Sequence, residues 1–257
     1  MNRHRRKNNT GPQSAVHLHR KASGHSFEVG EVALLDVSAA AGTSLVENLE
    51  EKFGKDKTLF IECDVQSEEQ LKAAFQKIVE TFGKLDIVCN NAGVFDETQW
   101  EKTVSINLMG MIRVSYLGLE HMSKLCKGHG GVIINTVSMA GLEPMPYSPV
   151  YTASKYGVVG FTRAMAMASL GAEDGVRFNA LCPAYVKTNL AHNLPDRMGP
   201  YTHMQDMMME LINKLGTMDA SKVAEALMEL VLDEKKTGEA LIVMPHENKY
   251  AQFQVLI

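Results

Sequence analysis

A single α/β domain built on a doubly wound parallel sheet is predicted for this chain by three observations. Short apolar runs of strand length recur along it: 32–35, 58–63, 85–89, 132–137, 176–181 and 241–244. Most gaps between them hold stretches with apolar residues at helical spacing, the alternation that builds parallel sheets with helical crossovers. The 257 residues, 45% of them hydrophobic, suffice for one full core.

From Glu31 the elements follow in order. Val32-Ala33-Leu34-Leu35 reads as a short buried strand ending at Asp36, with a helix from about Ala39 to Phe53 after it. A strand-end Asp can simply cap the next helix. Thr58–Cys63 is the next strand, and the helix over Glu68–Phe82 turns Leu71, Phe75, Ile78, Val79 and Phe82 inward. Leu85–Cys89 is a strand running into Asn90-Asn91-Ala92-Gly93, where small residues allow a ligand close to the backbone. A long helix over Trp100–Leu119 contains Asn107, a polar residue among apolar ones. Val132–Val137 is a buried strand ended by Ser138; a helix over Tyr151–Ala168, a strand over Val176–Leu181, a helix over Ser221–Leu232 and a strand over Leu241–Met244 complete the pattern.

The chemistry concentrates at Tyr151 and Lys155. Four residues apart on a helix, their side chains leave the same face one turn from each other. An ammonium near a phenol favours the phenolate, so the pair predicts a tyrosine whose pKa Lys155 lowers and which accepts a proton. Ser138, at the end of the preceding strand, is placed to hold a substrate oxygen against it. In isolation a Tyr-x-x-x-Lys pair arises on many solvated helices and carries little.

With Cys63-Asp64-Val65, Asn90–Gly93, Ile106-Asn107-Leu108, Ser138, Tyr151 to Lys155 and Pro183 to Thr188 together, the chain resembles the short-chain dehydrogenases/reductases from about Val29 almost to its end. Lys57–Ile61, Trp100–Thr103, Tyr116–Leu119 and Val158–Arg163 are most similar to members that oxidise 15-hydroxyprostaglandins with NAD. The resemblance implies a Rossmann-like sheet and NAD as cofactor. Tyr151 would be the base, Lys155 its pKa modulator and a ribose ligand, Ser138 the substrate orienter, and Asn107 a support for a proton path. It implies cofactor contacts from Asp36 to the adenosine ribose, from Asp64 and Val65 to the adenine, from Asn91, and from Val186 and Thr188 to the carboxamide. Ser148 stands where such members carry Gln beside the reacting hydroxyl, so its shorter side chain implies altered substrate preference. Met198, Met204, Met207, Met208, Met209 and Met218 fall where relatives place a substrate lid; as thioethers they can mould around an acyl chain or fill a helix core. A lipid substrate and a homodimer through the helices carrying Asn107 and Tyr151 are further implications.

The first 28 residues depart from this pattern, dividing the chain into an atypical 1–28 segment, with a disordered tail as one reading, and a dehydrogenase domain over 29–257. The TGxxxGxG turn that lets backbone amides approach a pyrophosphate is reduced to Thr10-Gly11, with Pro12 next. A degenerate or missing first strand leaves two apolar edges unpaired. Three readings compete: an alternative exon or frame error, a variant in which Ala15-Val16-His17-Leu18 supplies a substitute strand, and a targeting extension beginning Arg3-His4-Arg5-Arg6-Lys7.

The net charge of −4 gives no nucleic-acid signature. Cys63, Cys89, Cys126 and Cys182 lack metal-ligand spacing and suit buried thiols in a reducing compartment. No apolar run reaches membrane-spanning length, so the expected location is the cytoplasm. Two functions stay open: NAD-dependent oxidation of a secondary alcohol, or a catalytically impaired relative that binds lipid or pairs with another subunit.

Overall fold

The structure, a computed structural model, describes the backbone of residues 15–23 and 26–254 and the side chains of residues 30–254. Its strands are β1 (Ala15–Ser23), β2 (Ser26–Asp36), β3 (Thr58–Glu62), β4 (Ile87–Asn90), β5 (Gly131–Thr136), β6 (Val176–Pro183), β7 (Tyr185–Val186), β8 (Thr217–Met218), β9 (Ala240–Val243) and β10 (Asn248–Tyr250). Its α-helices are α1 (Ala39–Phe53), α2 (Glu68–Phe82), α3 (Trp100–Val104), α4 (Met111–Met122), α5 (Pro149–Ala172), α6 (Gln205–Leu215) and α7 (Ala220–Leu232).

Eight strands form one sheet in the order β10-β9-β6-β5-β4-β1-β2-β3, while β7 and β8 pair separately. The pairs β2–β3, β4–β5, β5–β6 and β6–β9 are parallel. Alternation along the strands divides the core between two faces. Val88, Ile133 and Phe178 pack with Leu71, Phe75 and Ile78 of α2 and Val114 and Leu117 of α4. Their neighbours Ile87, Cys89, Val132 and Ile134 pack with Ala226, Leu230 and Val231 of α7 on the other face. The sheet is therefore wound on both sides, as the strand and helix alternation predicts.

The first strand follows one of the three readings of the N-terminal segment, the substitute strand at Ala15–Leu18, which here runs on to Ser23. β1 lies between β2 and β4, in the slot where two unpaired edges were expected, and runs antiparallel to both. Val16, His17 and Leu18 pair with Cys89, Val88 and Ile87, and a register shift between His19 and Arg20 interrupts the pairing with β2. This extends the expected Val32–Leu35 strand back to Ser26, because the hairpin supplies hydrogen-bond partners for the earlier residues. Thr10-Gly11 and the basic cluster lie outside the described residues.

The single helix expected over Trp100–Leu119 is interrupted: Ser105–Gly110 is a π-helical stretch between α3 and α4. The wider turn carries Asn107, which is 1% exposed. Such bulges are found at functional sites because the extra residue re-aims a side chain without ending the helix. Gly110 fits here because a Cβ would stand 2.7 Å from a Val65 methyl.

Candidate active site

Three strands of the sheet, β4, β5 and β6, deliver their carboxyl ends to one rim, where open α/β sheets bind ligands. A buried polar network fixes them to the flanking helices. Asn90 Nδ2 donates to Ser115 Oγ at 3.0 Å and to Asn135 Oδ1 at 2.8 Å, and Asn135 Nδ2 donates to Thr162 Oγ1 at 2.8 Å. One network thus ties β4 and β5 to α4 and α5. Because its polar groups are satisfied in a dry interior, slippage of any member would orphan several at once.

Beyond these strand ends lies a mostly apolar cavity of about 550 Å³. Ser138, Ser148, Tyr151, Lys155, Asn91, Val186 and Thr188 all line it. The structure therefore gathers the expected base, its lysine, the substrate-orienting serine, and the residues expected around the nicotinamide and the reacting hydroxyl.

Ser138 begins a short 3-10 turn, and its Oγ accepts the Ala140 N–H at 3.2 Å. The turn packs tightly on α5: a Cβ on Gly141 would stand 2.8 Å from the Lys155 carbonyl oxygen. Ser138 and Tyr151 both line the cavity, and the Ser138 hydroxyl favours the Tyr151 phenolate. Burial pushes the Tyr151 phenol up to about 12; the Ser138 contact pulls against that rise and nearby Tyr185 adds to it. Lys155 is 4% exposed, and burial brings its ammonium down to about 8. Its Nζ donates to the Thr136 carbonyl at 3.0 Å and stands 5.7 Å from the centre of the Tyr151 ring. On the Tyr151 phenol, desolvation outweighs the downward pull of the Ser138 hydroxyl.

Asn107 sits behind the cavity and braces its wall. Its Oδ1 accepts the Val94 N–H at 2.8 Å, while its Nδ2 donates to the Val94 carbonyl at 2.9 Å and to Ser154 Oγ at 3.2 Å. The carboxamide holds the Asn90–Gly93 turn against α5. A Cβ on Gly93 would meet Asn107 Oδ1 at 3.5 Å and Lys155 Nζ at 3.6 Å, so this turn joins the two residues.

The residues expected around the adenosine do not line this cavity. Asp36 is 4% exposed, and its Oδ1 accepts the Ser38 N–H at 2.8 Å, a local turn contact before α1. Asp64 Oδ1 accepts the Gln66 N–H at 2.9 Å, and Val65 is buried against Gly110. The antiparallel course of β1 sends its carboxyl end to the opposite rim, so it does not lead into a helix whose N-terminus could cradle a pyrophosphate. The wall near Lys155 thus fits the nicotinamide half of a dinucleotide, with Lys155 Nζ and the Thr188 hydroxyl as its polar groups; the described residues form no matching phosphate cradle.

Two contacts at the site, that of Glu97 and that between Tyr147 and Tyr185, were not foreseen from the sequence, which placed both tyrosines only in stretches expected to flank the substrate and the nicotinamide. Glu97, in a 3-10 turn before α3, is buried and its carboxylate accepts the Val150 N–H at 3.1 Å and the Tyr151 N–H at 2.8 Å. It caps the helix that carries the base from a segment more than fifty residues away, and no local spacing announces that contact. Tyr147 and Tyr185 bring their hydroxyl oxygens to 2.5 Å at the cavity wall. The Met-rich segment contributes Leu190, Leu194 and Met208 to the wall, and Met198 and Met208 are fully buried there.

A family profile described as short chain dehydrogenase matches residues 27–199. The 15-hydroxyprostaglandin dehydrogenases [NAD(+)] of Macaca fascicularis and Homo sapiens are each 45% identical to this chain over 210 residues, covering 81% of it and 79% of theirs. Fat body protein 2 of Drosophila melanogaster is 30% identical over 73% of this chain and 72% of its own. The crystal structure of levodione reductase superposes with a TM-score of 0.71 at 25% identity, covering 82% of this chain and 85% of that one. With the Ser138, Tyr151 and Lys155 constellation at the carboxyl rim of a doubly wound sheet, these matches make the chain an oxidoreductase that belongs to the short-chain dehydrogenase family.

Proposed function

We propose that this protein oxidises a secondary alcohol to a ketone with NAD, and that its substrate is the 15-hydroxyl of a prostaglandin or a related hydroxylated fatty acid. One observation carries the reading: Ser138, Tyr151 and Lys155 line one largely apolar cavity of about 550 Å³, whose apolar walls suit a lipid chain beside a nicotinamide. The names of the 45% identical relatives support the substrate class. NAD, when bound, would supply the hydride acceptor, and this chain's own residues would do the rest. Ser138 holds the carbinol oxygen, Tyr151 as phenolate takes its proton, and charged Lys155 stabilises that phenolate and binds the ribose. Asn107 fixes the turn beside Lys155 and would support the proton path. Thr188, the Val186 backbone and Asn91 would hold the cofactor's carboxamide end, and Asp36, Asp64 and Val65, away from this cavity, would serve the adenosine. The short Ser148 leaves room near the reacting hydroxyl.

The catalytic domain is residues 29–257, and we place the protein in the cytoplasm as a homodimer. Among the described residues no helix is long and apolar enough to cross a membrane. Trp100, Met109, Tyr116, Tyr156, Met167 and Leu170 are exposed on α3, α4, α5 and the π-helical stretch, and these supply the apolar area of the dimer contact.

NADH formation from 15-hydroxyprostaglandins, lost on Tyr151→Phe, is the expected result. Unchanged turnover in that variant would overturn the assignment of the base. A second reading, a lipid-binding or dimerising relative without turnover, is favoured by Asp36, Asp64 and Val65 lying off the cavity. Calorimetry with NAD⁺ decides between them: binding supports the dehydrogenase, and its absence in folded protein supports the silent relative.

A further inference from the structure

Tyr147 and Tyr185 reach the cavity from different elements. Tyr147 ends the loop before α5 and is 3% exposed, while Tyr185 opens β7 just after the strand β6. Their oxygens are 2.5 Å apart, and among the described residues their hydrogen-bond partners are each other and the Met145 thioether, 3.3 Å from Tyr147 Oη. Two phenols carry two protons but share one hydrogen bond. A thioether is a weak acceptor, so the pair has a donor, and lone pairs, to offer to the cavity it lines. Burial raises both phenols, which keeps them protonated at neutral pH.

A second polar side chain among the cavity-lining residues lacks a partner. Ser148 Oγ belongs to a residue 1% exposed and makes no hydrogen bond, although Ser148 stands at the N-terminus of α5 where serine usually caps. Buried hydroxyls without partners are expensive unless a ligand satisfies them. Tyr151 interacts electrostatically with both phenols, so a molecule whose carbinol meets Tyr151 passes close to the pair.

We propose that Tyr147, Tyr185 and Ser148 form a second oxygen subsite, which hydrogen-bonds a further hydroxyl or ketone oxygen of the molecule whose carbinol meets Ser138 and Tyr151. The inference rests on the alcohol-oxidising reading and narrows it: the cavity selects acyl chains with at least two oxygens besides the carboxylate over chains with one. Tyr185 is the specificity-determining residue to test, because it is the more exposed partner and its ring is retained by phenylalanine.

The experiment compares wild type with Tyr185→Phe, and with Ser148→Ala as a second variant. Its ligands are an eighteen-carbon hydroxy acid and a series of dihydroxy acids with the second hydroxyl two to six carbons from the first. Thermal upshift is read for each ligand with cofactor, and NADH formation gives kcat and KM. At least one dihydroxy acid should be preferred by wild type, and Tyr185→Phe should reduce its kcat/KM about 5- to 50-fold while changing the monohydroxy value less than about threefold, the range expected for one lost hydrogen bond. Equal losses on both ligand types, or no preference in wild type, would overturn the subsite. Discrimination in the thermal shift without turnover would support the subsite and reject the dehydrogenase reading. Turnover without discrimination would do the reverse.

Discussion

At the scale of single residues, the site sets two buried ionisable groups against each other. Tyr151 must be a phenolate to accept a proton, yet burial pushes it up to about 12. The phenolate fraction therefore rises about tenfold per pH unit below that value. Loss of the Lys155 charge at about pH 8 opposes the gain in phenolate, so we expect kcat/KM for alcohol oxidation to climb up to about pH 8 and more slowly above it, while ketone reduction, which needs the protonated phenol, does not climb. A plateau below pH 8 in the oxidation profile would contradict the burial of the base. Tyr151→Phe should reduce oxidation by about a thousandfold, within the range for a lost general base, with little change in melting temperature. Lys155 makes the opposite prediction for stability. Its folded pKa of about 8 lies below the ordinary 10.5. Between these values the unfolded chain holds more protons, so this group's contribution to stability improves as pH rises through that window, and its full penalty is present below pH 8. Desolvation on this scale costs on the order of a few kcal/mol. Lys155→Met should thus raise the melting temperature at pH 7 while abolishing turnover, and the gain should shrink toward pH 10. A melting temperature unchanged at pH 7 would show that the ammonium carries no such penalty.

At the scale of elements, α5 presents the base and Glu97 holds its first turn. The carboxylate meets two of the free N–H groups at a helix start, the end where negative charge is favoured. Glu97→Ala leaves both donors buried without that partner, which costs about 1–3 kcal/mol. We expect a lower denaturant midpoint and a reduced kcat with KM nearly unchanged, because Tyr151 loses its backbone anchor. Glu97→Gln retains an acceptor oxygen and should recover part of both losses. Wild-type behaviour of Glu97→Ala in both measurements would dismiss the anchoring role. The contrast with Tyr151 and Lys155 shows what was legible in the sequence. Their spacing of four is a local property of one helix, and the Ser138 position follows from the end of an apolar strand. Glu97 on Tyr151, and Tyr147 on Tyr185, are contacts across long loops, which depend on how turns are folded back rather than on any period. The π-helical stretch at Asn107 was equally hidden, because its apolar residues continue a helical pattern through the widened turn.

At the scale of the whole molecule, the alternation of apolar strands and amphipathic helices made the sheet legible, but the direction of its first strand was not. A parallel β1 would require a crossover before β2, whereas a hairpin requires only a short connection. The chain between Ser23 and Ser26 has room for the hairpin alone, so β1 enters the central slot antiparallel. This strand joins the two halves of the sheet: it pairs with β2 on one side and β4 on the other, and no other described strand bridges them. Removing residues 1–23 should therefore expose two inner edges, templates for pairing between chains. We expect the truncated protein to move from a discrete sedimenting species to aggregate, and to lose its cooperative melting transition. His17→Pro offers a milder test, because proline removes a backbone donor from a strand flanked on both sides and should lower the melting temperature by several degrees or more. If the truncation and His17→Pro both sediment and melt as wild type does, the sheet's two halves are held together without β1, and the helices on its faces carry that burden.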